Sequence, residues 1–112
     1  MKGIQKDLVG ASTTVLLLAV LRDGPSYGYE IVRRVNEQAN GAFAWQEGTI
    51  YPLLHKLERQ RLIRSRWQES PIGRRRKYYQ LTSAGRAALG EGARQWGLFH
   101  DLVVRLAGAK DV

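Results

Sequence analysis

The sequence has no cysteine and only two histidines, His55 and His100. Without thiols the chain forms neither disulfides nor thiolate metal sites, and its composition fits a reducing, cytoplasmic environment. Neither histidine has a nearby carboxylate in a recognisable catalytic motif, and "HKLER" (55–59) is not the zinc-binding HExxH. Glycine-rich phosphate-binding and dinucleotide-binding signatures are also absent. We therefore predict that the protein is not an enzyme and uses no cofactor or metal.

Long apolar runs are absent as well. The longest, "VLLLAVL" (15–21), falls far short of the roughly 18 apolar residues that span a bilayer. It lacks an A-x-A-like cleavage site and continues into the charged turn "RDGPS", so a secretory signal is not indicated. We expect no membrane partner.

Acidic residues are scarce where the cations are densest. The chain carries 18 lysines and arginines against 10 acidic residues, a formal charge of +8. Between residues 64 and 77 the only acidic residue is Glu69. The cations of this segment are Arg64, Arg66, Arg74, Arg75, Arg76 and Lys77. Such a concentration of charge suits a phosphate backbone, although an RNA or an anionic membrane would also attract it.

The first half of the chain predicts three helices. Residues 9–22 form a largely buried helix that ends at the turn 23–25. Ser26 is the expected N-cap of a second helix, which reaches Gln38. The inward stripe of this second helix is predicted to comprise Tyr27, Ile31 and Val35.

The third helix, in "GTIYPLLHKLERQ" (48–60), has two distinct faces. Its apolar face consists of Ile50, Leu53, Leu54 and Leu57. Its polar face consists of Thr49, Tyr51, Pro52, His55, Lys56 and Arg59. Because proline is tolerated near a helix start, we place the N-terminus between Gln46 and Thr49.

Two strand-like runs follow, "LIRSRWQ" (62–68) and "KYYQLT" (77–82). The intervening loop of about eight residues is longer than an ordinary hairpin loop, so we expect a charged tip that projects beyond the sheet. Trp67 is interpreted as hairpin packing. Ser83 is then the predicted N-cap of a last helix that reaches about Ala107.

In this last helix apolar residues recur at heptad spacing. One series is Leu89, Trp96 and Val103, and the other is Gly92, Phe99 and Leu106. Such a seam predicts a dimer contact formed by Leu89, Trp96, Phe99, Val103 and Leu106. A helix packed on its own domain is the alternative interpretation. The predicted division is therefore a winged helix-turn-helix domain at 1–82 and a dimerisation helix with a tail at 83–112.

Three helices followed by strand, charged loop and strand make the order of a winged helix-turn-helix, a mostly α fold with a small β-hairpin. A major groove about 12 Å wide admits one helix whose exposed face carries hydrogen-bonding groups. A cationic loop beside that helix can reach phosphates or the minor groove. The sequence therefore favours a double-stranded DNA partner over RNA or a membrane, which give no reason for the polar face of the third helix.

The chain resembles the PadR-like transcriptional regulators. The resemblance rests on "YGYEIV" (27–32), "GTIYPLLHKLERQRLI" (48–63) and "GRRRKYYQLTSAG" (73–85). With a single C-terminal helix, it looks like the short branch of that family. The resemblance implies a homodimeric repressor that binds an inverted repeat and is released or modulated by a small molecule or a stress signal.

The resemblance also implies roles for particular residues. The residues that match the helix-turn-helix DNA face are Tyr27, Thr49, Tyr51, Pro52 and Lys56. Arg74, Arg75 and Arg76 match the wing, and with Lys77 we expect them to grip phosphate rather than read bases. For His55, contact with DNA and an ordinary surface position both stay open, and Tyr27 could equally be a core residue. The chain departs from the family at Arg61, where many relatives have glycine.

Trp96 is the one candidate for a second function. It is either a large packing residue of the core or dimer seam, or one of two rings that bracket a cavity across a two-fold axis. Such a cavity would accept planar aromatic or cationic molecules. The alternative function is thus a small-molecule-binding dimer whose DNA binding is secondary.

Overall fold

A computed structural model describes residues 3–108. The elements in chain order are α1 (Lys6–Val20), β1 (Ser26–Tyr27), α2 (Gly28–Ala39), α3 (Glu47–Arg59), β2 (Ile63–Glu69), β3 (Arg75–Leu81) and α4 (Ser83–Ala107). The three strands form one antiparallel sheet with the order β1-β3-β2. The predicted fold class, mostly helical with a small β-hairpin, is confirmed. Among the described residues, no helix is both long enough and apolar enough to cross a bilayer.

The core lies where α1, α2 and α3 meet the inner face of the sheet. The fully buried side chains include Leu17, Leu18, Ile31, Ile50, Leu54, Leu57, Ile63 and Tyr79. The apolar face predicted for α3 is therefore correct, with Leu53 only partly buried at its margin. Burial of this stripe fixes which side of α3 remains available to a partner.

The start of α2 differs from the prediction. Ser26 is not an N-cap: it lies in β1 opposite Tyr79, is fully buried, and donates a hydrogen bond from Oγ to Glu30 Oε1 at 2.6 Å. Tyr27 pairs with Tyr78, so it belongs to the sheet rather than to an inward helical stripe. The added strand keeps both residues extended, and the helix begins only at Gly28.

Helix α3 begins at Glu47, within the predicted range. Pro52 lies near the helix start, as expected, but it is the sixth residue and follows the first turn, so the carbonyl of Gly48 lacks its usual helical donor. Two residues after the helix, Arg61 adopts a left-handed conformation with φ +61°. This is the conformation that glycine adopts at least cost.

The hairpin loop is shorter than predicted. The strands pair out to Glu69 opposite Arg75, so the loop contains only residues 70–74. The Ser70 N–H donates to the Arg74 carbonyl at 2.7 Å and the Gly73 N–H donates to the Ser70 carbonyl at 2.9 Å. Gly73, at φ +84°, supplies the turn. The projecting tip of about eight residues is therefore wrong, because ladder pairing captures two of its three basic residues, Arg75 and Arg76.

Helix α4 ends at Ala107 as predicted, but its N-cap is Thr82 rather than Ser83. The Thr82 hydroxyl accepts from the Gly85 N–H at 3.0 Å and donates to the Leu62 carbonyl at 3.1 Å, so it also ties the helix to the start of β2. The first half of α4 packs on α1. Of the predicted C-terminal tail, residues 109–112 lie outside the described residues.

Candidate nucleic-acid interface

The polar face of α3 lies opposite the core, as the amphipathic pattern predicts. Every member predicted to touch DNA is exposed there: Thr49, Tyr51, Pro52, His55 and Lys56. The face combines a hydroxyl, a phenol, an imidazole and an ammonium group along one helix side. These groups supply the donors and acceptors that base edges and phosphates require.

Tyr51 is held against the start of α2 by close packing. A Cβ added to Gly28 would lie 2.5 Å from the Tyr51 hydroxyl oxygen, so glycine is needed for this approach. The hydroxyl donates to Glu47 Oε1 at 3.3 Å. Partial burial, followed by the nearby charge of Glu47, raises the pKa of Tyr51. The phenol therefore stays protonated at neutral pH and keeps its hydrogen bond to Glu47.

The aromatic ring of Tyr27 packs against the guanidinium group of Arg76. The guanidinium carbon of Arg76 lies 4.2 Å from the centroid of the Tyr27 ring. The ring also meets Tyr78 edge to face, with centroids 5.5 Å apart. Tyr27 is half-buried by these contacts, so its clearest role is to orient Arg76.

Lys77 faces the opposite side of β3 and is partly neutralised. Its Nζ lies 3.7 Å from Oε1 of Glu58, near the end of α3. The other carboxylate oxygen of Glu58 accepts a hydrogen bond from Ser65 Oγ on β2. One carboxylate therefore links α3 to both strands of the hairpin. We did not foresee this role for Glu58, because helical position and charge alone do not separate it from an ordinary surface residue.

Arg75 and Trp67 lie together farther along the hairpin. The Arg75 guanidinium carbon is 5.7 Å from the centroid of the Trp67 ring. Trp67 is 58% exposed, and its contact with Arg75 lies within the hairpin. Arg74 is exposed in the loop.

These side chains border one open groove of about 390 Å³ between α3 and the hairpin. Its lining includes six residues predicted to contact DNA: Tyr27, Tyr51, His55, Arg75, Arg76 and Lys77. Tyr29, Trp67 and Tyr79 line it as well. The remaining predicted residues, Thr49, Pro52, Lys56 and Arg74, lie outside the lining. The groove therefore brings six of the ten predicted residues, from both the helix and the wing, to one aromatic and cationic surface.

Trp96 lies at the other end of the molecule. Its indole Nε1 donates to the buried Ser12 Oγ at 2.9 Å, which fixes the ring between α4 and α1. The ring borders an apolar cavity of about 410 Å³ that Ile4, Leu8 and Phe43 also line.

The far half of α4 leaves its apolar side chains exposed. They are Leu98, Phe99, Leu102, Val103 and Leu106, and Leu106 is 80% exposed. Leu89, also predicted as a dimer contact, is partly buried against the core, because the first half of α4 lies on α1. Leu98 and Leu102 belong to the same exposed apolar surface, but the heptad pattern did not indicate them because they lie outside its two series.

Comparison with known proteins gives consistent results. A sequence model described as "Transcriptional regulator PadR-like family" matches residues 17–91. A PadR-like transcriptional regulator from Bacillus cereus is 29% identical, with a TM-score of 0.83 over 92% of this chain and 98% of that chain. Bacillus subtilis PadR in complex with operator DNA is 28% identical, with a TM-score of 0.64 over 70% of this chain and 44% of that chain.

A transcriptional regulator of Mycobacterium tuberculosis is 41% identical over 69 residues, which cover 53% of this chain and 64% of that protein. The family match spans more than half of the chain and includes α2, α3 and the hairpin. This chain therefore belongs to the PadR-like family of transcriptional regulators, which are DNA-binding proteins rather than enzymes.

Proposed function

We propose that the protein is a cytoplasmic, sequence-specific repressor that binds an inverted-repeat operator as a homodimer. The observation that carries this proposal is the groove between α3 and the hairpin, where aromatic donors and cations from both elements face the same space. One DNA backbone segment fits this space while the polar face of α3 enters the major groove.

The residues divide between two kinds of contact. Thr49, His55 and Lys56, on the helix, are positioned to read base edges or phosphates, and Tyr51 can exchange its hydrogen bond to Glu47 for one to a phosphate. Arg74, Arg75 and Arg76 contact phosphates from the wing. Lys77 shares its charge with Glu58, so we expect a smaller contribution from it.

The dimer would form through the far half of α4. Phe99 and Val103 are 62% and 46% exposed, and an apolar helix face of this kind is stabilised by a second copy of itself. Trp96 and Leu106 extend the same contact. Two α3 helices related by a two-fold axis would read half-sites whose centres lie about one helical turn, or a multiple of it, apart.

The test is selection of bound duplexes from a random pool, followed by sedimentation of the protein with the selected site. We expect an inverted repeat bound by two protomers. Affinity should fall by roughly 10³ to 10⁵ between 50 and 200 mM salt if six to ten phosphates are contacted. Phe99→Glu should produce monomers and weaken binding, whereas Arg105→Glu, a charge change on the same helix, is the control. A monomer with salt-independent affinity would refute the proposal.

A second candidate function is supported by the cavity beside Trp96. Its apolar lining and indole ring suit a planar aromatic or cationic effector that relieves repression. A planar cationic dye should quench tryptophan fluorescence, and Trp96→Ala should remove this quenching. Trp67→Phe is the control and should leave quenching by the dye in place. Quenching that survives Trp96→Ala excludes this cavity as the dye site.

A further inference from the structure

The pairing of β2 with β3 divides the cations of the hairpin between two faces. Tyr79, Lys77 and Arg75 alternate along the inner face, which packs on α3. Arg76 points to the opposite, outer face. There it is joined by Arg66, which pairs with Tyr78, and Arg64, which pairs with Gln80. The basic segment that looks continuous in sequence is thus divided between two faces of the hairpin, and Arg76 borders both the outer face and the groove.

The inner cations have acidic neighbours. Lys77 lies 3.7 Å from Glu58, and Arg75 is opposite Glu69 in the strand register. Within residues 3–108, no carboxylate lies within 4 Å of the three outer arginines. Among the described residues, the outer face therefore carries three positive charges without an ion pair, whereas on the inner face Lys77 is paired with Glu58.

Neutral partners hold two of these outer guanidinium groups in place. Arg76 stacks on the Tyr27 ring at 4.2 Å. With its amide oriented to satisfy both groups, the Gln80 side-chain oxygen accepts from Nε and Nη2 of Arg64 at 3.0 and 3.1 Å. These contacts restrict the side chains but leave their charge intact. A restricted cation loses less conformational entropy when it binds an anion.

The spacing of the three arginines follows from the sheet. Residues two apart on a strand, such as Arg64 and Arg66, lie about 7 Å apart. Arg66 and Arg76 are diagonal neighbours across the strand pair, at roughly 7 to 8 Å between backbone positions. The three cations therefore form a row along the hairpin that suits successive charges of an extended polyanion.

We propose that Arg64, Arg66 and Arg76 form a second phosphate-binding surface, which contacts duplex DNA flanking each half-site. This inference rests on the proposed function. Duplex DNA is the chosen occupant because the outer face is continuous with the DNA groove: Arg76 and Tyr27 belong to both. The surface extends the footprint without reading sequence, since phosphate contacts position a protein rather than specify bases.

The test compares the selected operator with the same operator extended by about one helical turn of arbitrary sequence at each end. Wild-type protein should bind the extended duplex more tightly. Arg64→Gln/Arg66→Gln should lose most of this gain, and its salt slope on the extended duplex should fall by about 0.9 for every arginine removed. Affinity and base preference on the short duplex should remain unchanged. Arg66→Gln alone, a milder change, should lose part of the gain.

The matched control is the double variant Arg22→Gln/Arg94→Gln. It removes the same charge from exposed positions outside the sheet, at the turn after α1 and on α4, and should keep the gain from flanking DNA. Thermal unfolding of each variant verifies that it is folded.

Each other outcome has a defined meaning. An equal loss of affinity on short and extended duplexes, or the same loss in the control, would overturn the inference in favour of a general charge effect. A hairpin variant that keeps the gain but no longer binds polyglutamate would identify an acidic protein as the occupant instead. If wild-type protein selects an operator but gains nothing from flanks, only this inference fails. If it binds no duplex at all, the proposed function fails with it.

Discussion

Glu58 near the end of α3 and Lys77 on β3 form an ion pair, with 3.7 Å between Lys77 Nζ and Glu58 Oε1. Each side chain is about one-third exposed, so the pair contributes at most about 1 kcal/mol to folding. We expect its larger effect to be on DNA binding, because it engages the ammonium group of Lys77 at the edge of the groove. We predict that Glu58→Gln makes Lys77 available to phosphate and steepens the salt dependence by up to about 0.9 per protomer.

The measurement is affinity for non-operator duplex against salt concentration. Lys77→Gln in the wild-type background should change the slope much less than Arg75→Gln does. If Glu58→Gln and Glu58→Gln/Lys77→Gln give the same slope, Lys77 is not the cation that is released.

Gly28 controls the position of Tyr51. Gly28→Ala places a methyl group 2.5 Å from the Tyr51 hydroxyl oxygen, so the ring must move out of its place on the groove wall. We expect operator affinity to fall about tenfold, the equivalent of about 1.4 kcal/mol, with a small change in thermal stability. Titration of labelled operator measures the affinity. In the Tyr51→Ala background, Gly28→Ala should have little further effect, and additive losses would contradict this explanation.

Arg61 carries a conformational cost that glycine would relieve. At φ +61° a residue with a Cβ is disfavoured by about 1 to 2 kcal/mol, partly offset by the greater freedom of glycine in the unfolded chain. Arg61→Gly should therefore raise the free energy of unfolding by about 0.5 to 1 kcal/mol in urea denaturation. Arg61→Ala removes the same charge but keeps the Cβ, so it should give no such gain. Equal stability of the two variants would show that the backbone is not strained.

Alkaline pH should weaken the fold. Burial, and then the charges of Glu58 and Tyr51, raise the pKa of Tyr79 above its ordinary value of 10.0. As the pH rises past 10, the unfolded chain loses the phenolic proton before the native chain does. The free energy of unfolding therefore falls above that pH. Tyr79→Phe should make this decline shallower when urea unfolding is measured from pH 8 to 11, and an unchanged decline would exclude Tyr79 as its source.

The amphipathic pattern was sufficient to predict the third helix and its polar face. Ile50, Leu54 and Leu57 recur at helical spacing, and only one side of the helix can be buried with them. The same reasoning failed at Ser26 and Tyr27, because their extended conformation depends on a distant partner, β3. Local capping preferences contain no information about such long-range pairing.

The hairpin shows a second limit. Three consecutive arginines, at positions 74–76, indicate a loop when charge and solvation are considered alone. In the structure, the turn closed by Gly73 allows ladder pairing to continue to Arg75, so cross-strand hydrogen bonds decide the outcome. The contact of Glu58 with both strands depends on the same strand pairing, so it could not be predicted until that pairing was known.

Arg75 and Arg76 are neighbours in sequence but extend from opposite sides of an ordered strand. A single anion cannot easily engage both guanidinium groups at once. The hairpin thus presents a different set of charges on each of its two faces. A polyanion that contacts both faces must pass around the edge of the hairpin. Inserting residues into the loop 70–74 would extend the tip of the hairpin and would leave the division of charge between its two faces unchanged.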